Sequence, residues 1–311
     1  EDASDRLLAI RARSILTLAG EGPARAARLF APLKKIDNGV LLADMPNEAK
    51  LGPVSVTTIG GTSNVFDMTF TGLTATATTG TPADAGAASA NPGQTITLTG
   101  TKFAADTDIV FETINDNGTR GTIVVRPTTV ADDGTSATVV LPDSATTGKV
   151  RVFGDRLGTE MALQVVPVVS GVDFLYFQGD TTYGQVRLKG KGFVEGNWST
   201  YIFGSVMYDD AGPSYGANAY AGDPDYRANG TADLAVSFED AAFGPIQVRT
   251  DGGTSAAYTR TVSGITATAT SGTPADPGEA SANPGQEITV TGTGLTAQDE
   301  FMFGWRESGS G

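Results

Sequence analysis

Apolar and polar residues alternate with a period of two along most of the chain, and the alternation recurs in two templates. In the first, two alternating apolar residues lead to a glycine and then to a further apolar residue three positions on. Ile96, Leu98, Gly100 and Phe103 form one copy, Val186, Leu188, Gly190 and Phe193 a second, and Ile288, Val290, Gly292 and Leu295 a third. In the second template a turn leads into Val54 and Val56 (residues 46–56), Val150 and Val152 (142–152), or Ile246 and Val248 (238–248). A period of two puts one set of side chains on one face, so each segment predicts a half-buried β-strand. Richness in Thr and Val, with turn signals at Asn117-Gly118, Asp133-Gly134 and Asp251-Gly252, predicts antiparallel strands joined by hairpins.

The first 35 residues follow another period. Leu8, Ala12, Ile15, Leu16 and Ala19 fall at helical spacing, with Asp5 near the start and Gly20 and Gly22 at the end. This predicts an amphipathic helix, followed by a second short helix from Pro23 to about Phe30.

Self-similarity organises the rest. Residues 72–101 and 264–293 are identical at 24 of 30 positions at a fixed offset of 192 residues, which is duplication. Half of that offset, 96 residues, matches the size of one β-sandwich. The expected organisation is a basic helical segment (1–36), the C-terminal half of an Ig-like domain (37–71), two complete Ig-like domains (72–167 and 168–263), and the N-terminal half of another (264–311). The predicted fold class is therefore all-β, tandem Ig-like β-sandwiches with a short helical N-terminal segment.

The first complete domain carries Asn91-Pro92-Gly93, Ile96 to Phe103, Ile109-Val110-Phe111, Val139 to Pro142 and Gly148 to Val152. This order resembles the IPT/TIG family of immunoglobulin-like modules over roughly residues 38–311. The second domain departs from it at Tyr183-Gly184 and Phe238. The resemblance implies extracellular spacer, adhesion, surface-layer or sugar-binding accessory modules, seldom catalysis.

Composition narrows the chemistry. The chain of 311 residues contains no Cys and no His, which excludes Ser-His-Asp and Cys-His nucleophile systems and an ordinary Zn site. No pair of carboxylates for glycoside hydrolysis can be placed either, so no enzyme and no required cofactor are expected. The net charge of −14 divides into +3 for residues 1–35 and −17 for the remainder. An acidic bulk repels phosphate, so nucleic acid is not an expected partner. No apolar run approaches the roughly 18–20 residues that span a bilayer.

Four candidate constellations remain. An insertion at 196–229 in the second domain holds Trp198, Tyr201, Tyr208, Tyr215, Tyr220 and Tyr226, whose rings suit stacking on sugar or contact with another subunit. The same insertion holds Asp209, Asp210, Asp223 and Asp225, whose oxygens suit Ca²⁺. The duplicated Thr-Pro-Ala-Asp loops place Asp84, Asp276 and Glu279 as further Ca²⁺ candidates, although turn chemistry alone explains such loops. Arg6, Arg11, Arg13, Arg25, Arg28, Lys34 and Lys35 form a basic set suited to an anionic cell-surface polysaccharide or an acidic subunit face. The leading expectation is a non-catalytic extracellular structural protein of the cell surface: a surface-layer or filament subunit, or part of an adhesin. A carbohydrate-binding accessory region of a secreted enzyme is the alternative. The two half domains, 37–71 and 264–311, read either as pieces of a longer array or as complementary halves that join copies head to tail.

Overall fold

Alternation becomes ladder wherever the sequence carries it. In the computed structural model the described residues are 13–17, 28–31, 33–37, 40–43, 53–58, 60–153, 159–176, 183–196, 198–210, 218–220, 229–237 and 245–295, with 297 and 299. Among them the protein is all-β. The chain divides into two compact units, Glu1–Thr78 with Pro82–Ile114 and Arg120–Val166, and Thr79–Thr81 with Asn115–Thr119 and Pro167–Gly311.

The first unit begins with strands β1 (Arg13–Thr17), β2 (Arg28–Ala31), β3 (Leu33–Asp37), β4 (Val40–Ala43), β5 (Pro53–Thr58), β6 (Gly61–Thr62) and β7 (Phe66–Asp67). One sheet runs β2-β1-β5-β6 with β7 also on β5, and β3 pairs with β4. The N-terminal helices expected from Leu8 to Ala19 and from Pro23 to Phe30 are therefore corrected for residues 13–17 and 28–30, which are strands. An isolated helix of about a dozen residues is marginal in water. Ile15 and Thr17 are β-branched, and the edge of β5 offers a full ladder, with Ile15 opposite Ser55 and Leu16 opposite Val54.

The first sandwich follows: β8 (Thr69–Thr74), β10 (Ser89–Ala90), β11 (Thr95–Thr101), β12 (Ile109–Ile114), β13 (Arg120–Val125), β14 (Thr129–Val130), β15 (Ser136–Val140), β16 (Ala145–Val152) and β17 (Met161–Val165), with the two-residue β9 (Thr81–Pro82) between β8 and β10 in sequence but outside its sheets. Its sheets run β14-β15-β11-β8 and β10-β17-β16-β12-β13. This is the strand order of an immunoglobulin sandwich, with an additional parallel pairing of β10 on β17. Ile96, Leu98, Val139, Phe111, Val150 and Val152 close the core between the sheets. Phe70 meets Phe103 edge to face, with centroids 6.5 Å apart.

The second unit repeats the plan with β18 (Val168–Tyr176), β19 (Tyr183–Lys191), β20 (Ser199–Phe203), β21 (Val206–Asp209), β22 (Asn218–Tyr220), β23 (Thr231–Ser237), β24 (Pro245–Thr250), β25 (Gly253–Thr254) and β26 (Tyr258–Thr259). One sheet runs β18-β19-β23-β22; in the other, β24 joins β20 and β21 on one side and β25 and β26 on the other. Val186, Leu188, Phe193, Leu234, Ile246 and Val248 form its core. Strands β27 (Thr261–Thr266) and β28 (Thr289–Thr293) then pair with each other.

The duplication extends to register. Val54 faces Phe66 and Thr58 faces Gly61, and 192 residues later Ile246 faces Tyr258 and Thr250 faces Gly253. The glycine of the first template explains itself three times. A Cβ on Gly100, Gly190 or Gly292 would run into the carbonyl of Thr69, Val168 or Thr261 on the neighbouring strand, and into the side chain of Phe103, Phe193 or Leu295. Only glycine lets the two backbones approach that closely while the following apolar side chain folds back over it.

Candidate functional site

The aromatic and acidic insertion of the second domain contributes to the interior as well as to the surface. Tyr201 is fully buried on β20 and meets Phe193 edge to face at 6.1 Å. Tyr208 stands edge to face against Phe203 at 5.9 Å. Alternation on β20 and its pairing with β24 place Tyr201 opposite Val248, which makes it a core residue. Tyr201 is thereby corrected as a sugar or subunit contact. Trp198 is 36 % exposed. Tyr220 lies on β22, while Tyr215 and Tyr226 fall outside the described residues.

Around Tyr201 the structure gathers buried polar groups that the sequence did not bring together. Asp210 and Glu195 are 0 % and 1 % exposed, and Asn229 is 1 % exposed. Two bonds beside them run to Ser199, whose Oγ accepts from the Val194 amide at 2.8 Å and whose carbonyl accepts from the Asp210 amide at 2.9 Å. The Asn229 carbonyl accepts from the Phe193 amide at 3.0 Å, and Asn229 holds a positive φ of 42°. Burial pushes the Tyr201 phenol well above its ordinary value, the charges of Asp210 and Glu195 add to that, and the Ser199 hydroxyl opposes it. A tyrosine held so firmly neutral is a packing group with a polar tip. Asn229 was legible only as one of three Asn-x-Ser/Thr triplets, with Asn117 and Asn197, and Glu195 carried no signal; the burial of Asn229 identifies it as a framework residue.

The other Ca²⁺ candidates have simpler duties. Asp209 is exposed and its Oδ1 accepts from Thr200 Oγ1 at 2.8 Å across the β20–β21 ladder. Asp84 Oδ1 accepts from the Gly86 amide at 2.8 Å, and Asp276 Oδ1 accepts from the Gly278 amide at the same distance. Each carboxylate thus closes its own turn. Glu279 is exposed, and its amide donates to the Asp276 carbonyl at 3.3 Å. Among the described residues no three His, Cys, Asp or Glu side chains stand close enough to hold a metal ion. Asp223 and Asp225 lie outside those residues.

The basic set is spread over strands. Arg13 is on β1, Arg28 on β2, and Lys34 and Lys35 on β3, whereas Arg6, Arg11 and Arg25 lie outside the described residues. Among the described residues no helix is long and apolar enough to cross a membrane.

The most developed polar network is a brace built twice. Gln94 Oε1 accepts from the Asn91 and Thr78 amides at 3.0 and 3.3 Å, and its Nε2 donates to the Thr76 carbonyl at 2.6 Å. Gln286 makes the same three bonds to Asn283, Thr270 and Thr268 at 3.1, 3.3 and 2.6 Å. Asn91 Nδ2 goes on to the Val166 carbonyl at 3.0 Å, closing the first sandwich. Gln164 reinforces it, bonding both the amide and the carbonyl of Asp84 at 2.7 Å. In the second copy Asn283 Nδ2 turns instead to the Ser271 carbonyl at 3.1 Å. The near-identity of the two Asn-Pro-Gly-Gln segments was the readable signal for this brace.

No family model and no curated protein matches the chain. Among solved structures, a tetra-tandem repeat in the extending region of a large adhesion protein aligns with 79 % of this chain and 64 % of its own length. The identity is 14 % and the TM-score 0.20. The chain thus spans just under two thirds of that neighbour.

Proposed function

We propose that this chain is a non-catalytic stretch of tandem Ig-like modules in an extracellular structural or adhesin-like protein. The observation that carries the reading is repetition of a scaffold together with its register. The close-approach glycine and its apolar cover occur three times, and the β5–β7 and β24–β26 pairings coincide position for position. Repetition of backbone geometry suits a spacer whose length and stiffness matter, and a chain without Cys or His brings little equipment for chemistry. The IPT/TIG-type pattern, surface localisation and the surface-layer or filament alternatives belong to this same reading. So does Ca²⁺, as a stiffening ion at exposed carboxylates rather than a required cofactor.

Single-molecule pulling on the full chain tests it. Each sandwich of about 96 residues should unfold as a separate event and release roughly 30 nm of contour. A single cooperative rupture of both units, or turnover of a polysaccharide by the purified chain, would remove the reading. The carbohydrate-accessory alternative keeps one described ring in its favour, the partly exposed Trp198. Loss of glycan binding on Trp198→Ala is its test.

A further inference from the structure

Strand order gives the two outlying strand pairs complementary places. In both sandwiches an outer sheet runs in the same sense, β15-β11-β8 in one and β23-β19-β18 in the other. Strands β27 and β28 are the counterparts of β8 and β11, 192 residues on. Strand β4 stands 96 residues before β15, just as Pro46 stands 96 before Pro142. Among the described residues β28 pairs only with β27, and β4 only with β3.

Exposure supports the same pairing. Phe70 in the first sandwich is 2 % exposed, but its counterpart Val262 on β27 is 43 % exposed and Ile265 beside it 51 %. Tyr258 packs on the core of the second sandwich, but its counterpart Phe66 on β7 is 53 % exposed. Each bare face is of the kind that the other covers in a complete sandwich. Charge agrees as well. Residues 261–311 carry six acidic side chains and one arginine, a net of −5, against a net of +1 in residues 13–67, which span β1–β7.

We propose that β28 of one copy of this chain adds to the β4 edge of a second copy, so that β27–β28 completes the sandwich begun by β1–β7 and the copies join head to tail. The proposal rests on the tandem-module reading and names its partner. Carrying over the observed register, in which Ile96 faces Val139 and Leu98 faces Ala137, sets Ile288 opposite Ala43 and Val290 opposite Leu41. Because donor and acceptor surfaces are different parts of the chain, the contact is heterologous and propagates.

The absence of cysteine makes the test clean. The full chain carrying Leu41→Cys and Val290→Cys, oxidised with diamide, should give a reducible ladder of dimers, trimers and higher species. An out-of-register variant, Leu41→Cys with Thr293→Cys, should not, because disulfides tolerate only a narrow Cβ separation. Circular dichroism of the reduced variants confirms that they fold, and sedimentation of the unsubstituted chain should show association that grows with concentration and weakens with salt. A chain monomeric at every concentration, a closed dimer without a ladder, or equal cross-linking by the out-of-register variant would overturn the proposal. Separate unfolding of the sandwiches under force would persist in any of those cases, so failure of the contact is distinguishable from failure of the array reading.

Discussion

Gly190→Ala isolates the cost of the close approach on which all three repeats are built. The added methyl would drive into the Val168 carbonyl oxygen and stand 2.9 Å from one ring carbon of Phe193 and closer still to another. Neither neighbour is free to yield. Val168 and Val169 are held in the β18–β19 ladder, and Phe193 is fully buried against Tyr201. Overpacking of this kind costs about 1–3 kcal/mol, and the backbone contact places this site at the upper end. Against it stands the smaller gain, about 0.4–1 kcal/mol, from removing a glycine's freedom in the unfolded chain. The expected net loss is about 2 kcal/mol, a fall of roughly 1 M in the urea midpoint of the second unit. Gly171→Ala is the internal control. Its Cβ would meet only Lys189 carbons at 3.8 Å, so the unfolded-state gain stands alone and the midpoint should rise slightly. Trp198 fluorescence in a Trp305→Phe background reports on the correct unit. A midpoint for Gly190→Ala equal to or above that of Gly171→Ala would refute the argument.

Lys102 holds a φ of 61°, at the position where the other two repeats have Gly192 and Gly294 with φ of 75° and 66°. Lys102→Gly should therefore stabilise the first sandwich by about 0.5 kcal/mol, read as a higher melting temperature, despite the usual penalty of glycine. Asn91→Ala removes the bond to the Val166 carbonyl in a site only 4 % exposed and should cost about 2–3 kcal/mol. The equivalent Asn283→Ala, whose bonds to Thr270 and Ser271 are exposed, should cost under about 1 kcal/mol in hydrogen-exchange protection of β27–β28. The Tyr201 phenol is raised above its unfolded value of 10.0, so its contribution is fully present below pH 10 and is lost as pH rises above it. Tyr201→Phe should abolish that alkaline loss in urea midpoints taken from pH 8 to 11. At pH 7 it should cost no more than about 1 kcal/mol, the worth of the phenol's contact with the Ser199 hydroxyl.

The strand content was legible because its signal is local. Ile96 and Leu98, or Val186 and Leu188, alternate with polar neighbours, and each pair reaches the core as that period requires. The three glycines at 100, 190 and 292 could be read as a recurring mark, but their reason could not. The carbonyl each one admits lies on another strand, 31 residues away for Gly100 and 22 for Gly190. The Asp84 and Asp276 turns were equally local, and turn chemistry accounts for both carboxylates.

Sequence by itself determined the alternation, the turns and the duplication, since each depends on neighbours along the chain or on comparison of the chain with itself. Tertiary structure decided which surfaces those strands cover. Ile15 and Leu16 suit a helix by spacing, and the edge of β5 makes them a strand. Tyr201 suits a binding surface by composition, and the facing sheet makes it core. Val262 and Phe70 carry the same place in the repeat, one exposed and one buried, because a strand encodes its own apolar face but not the sheet that will cover it.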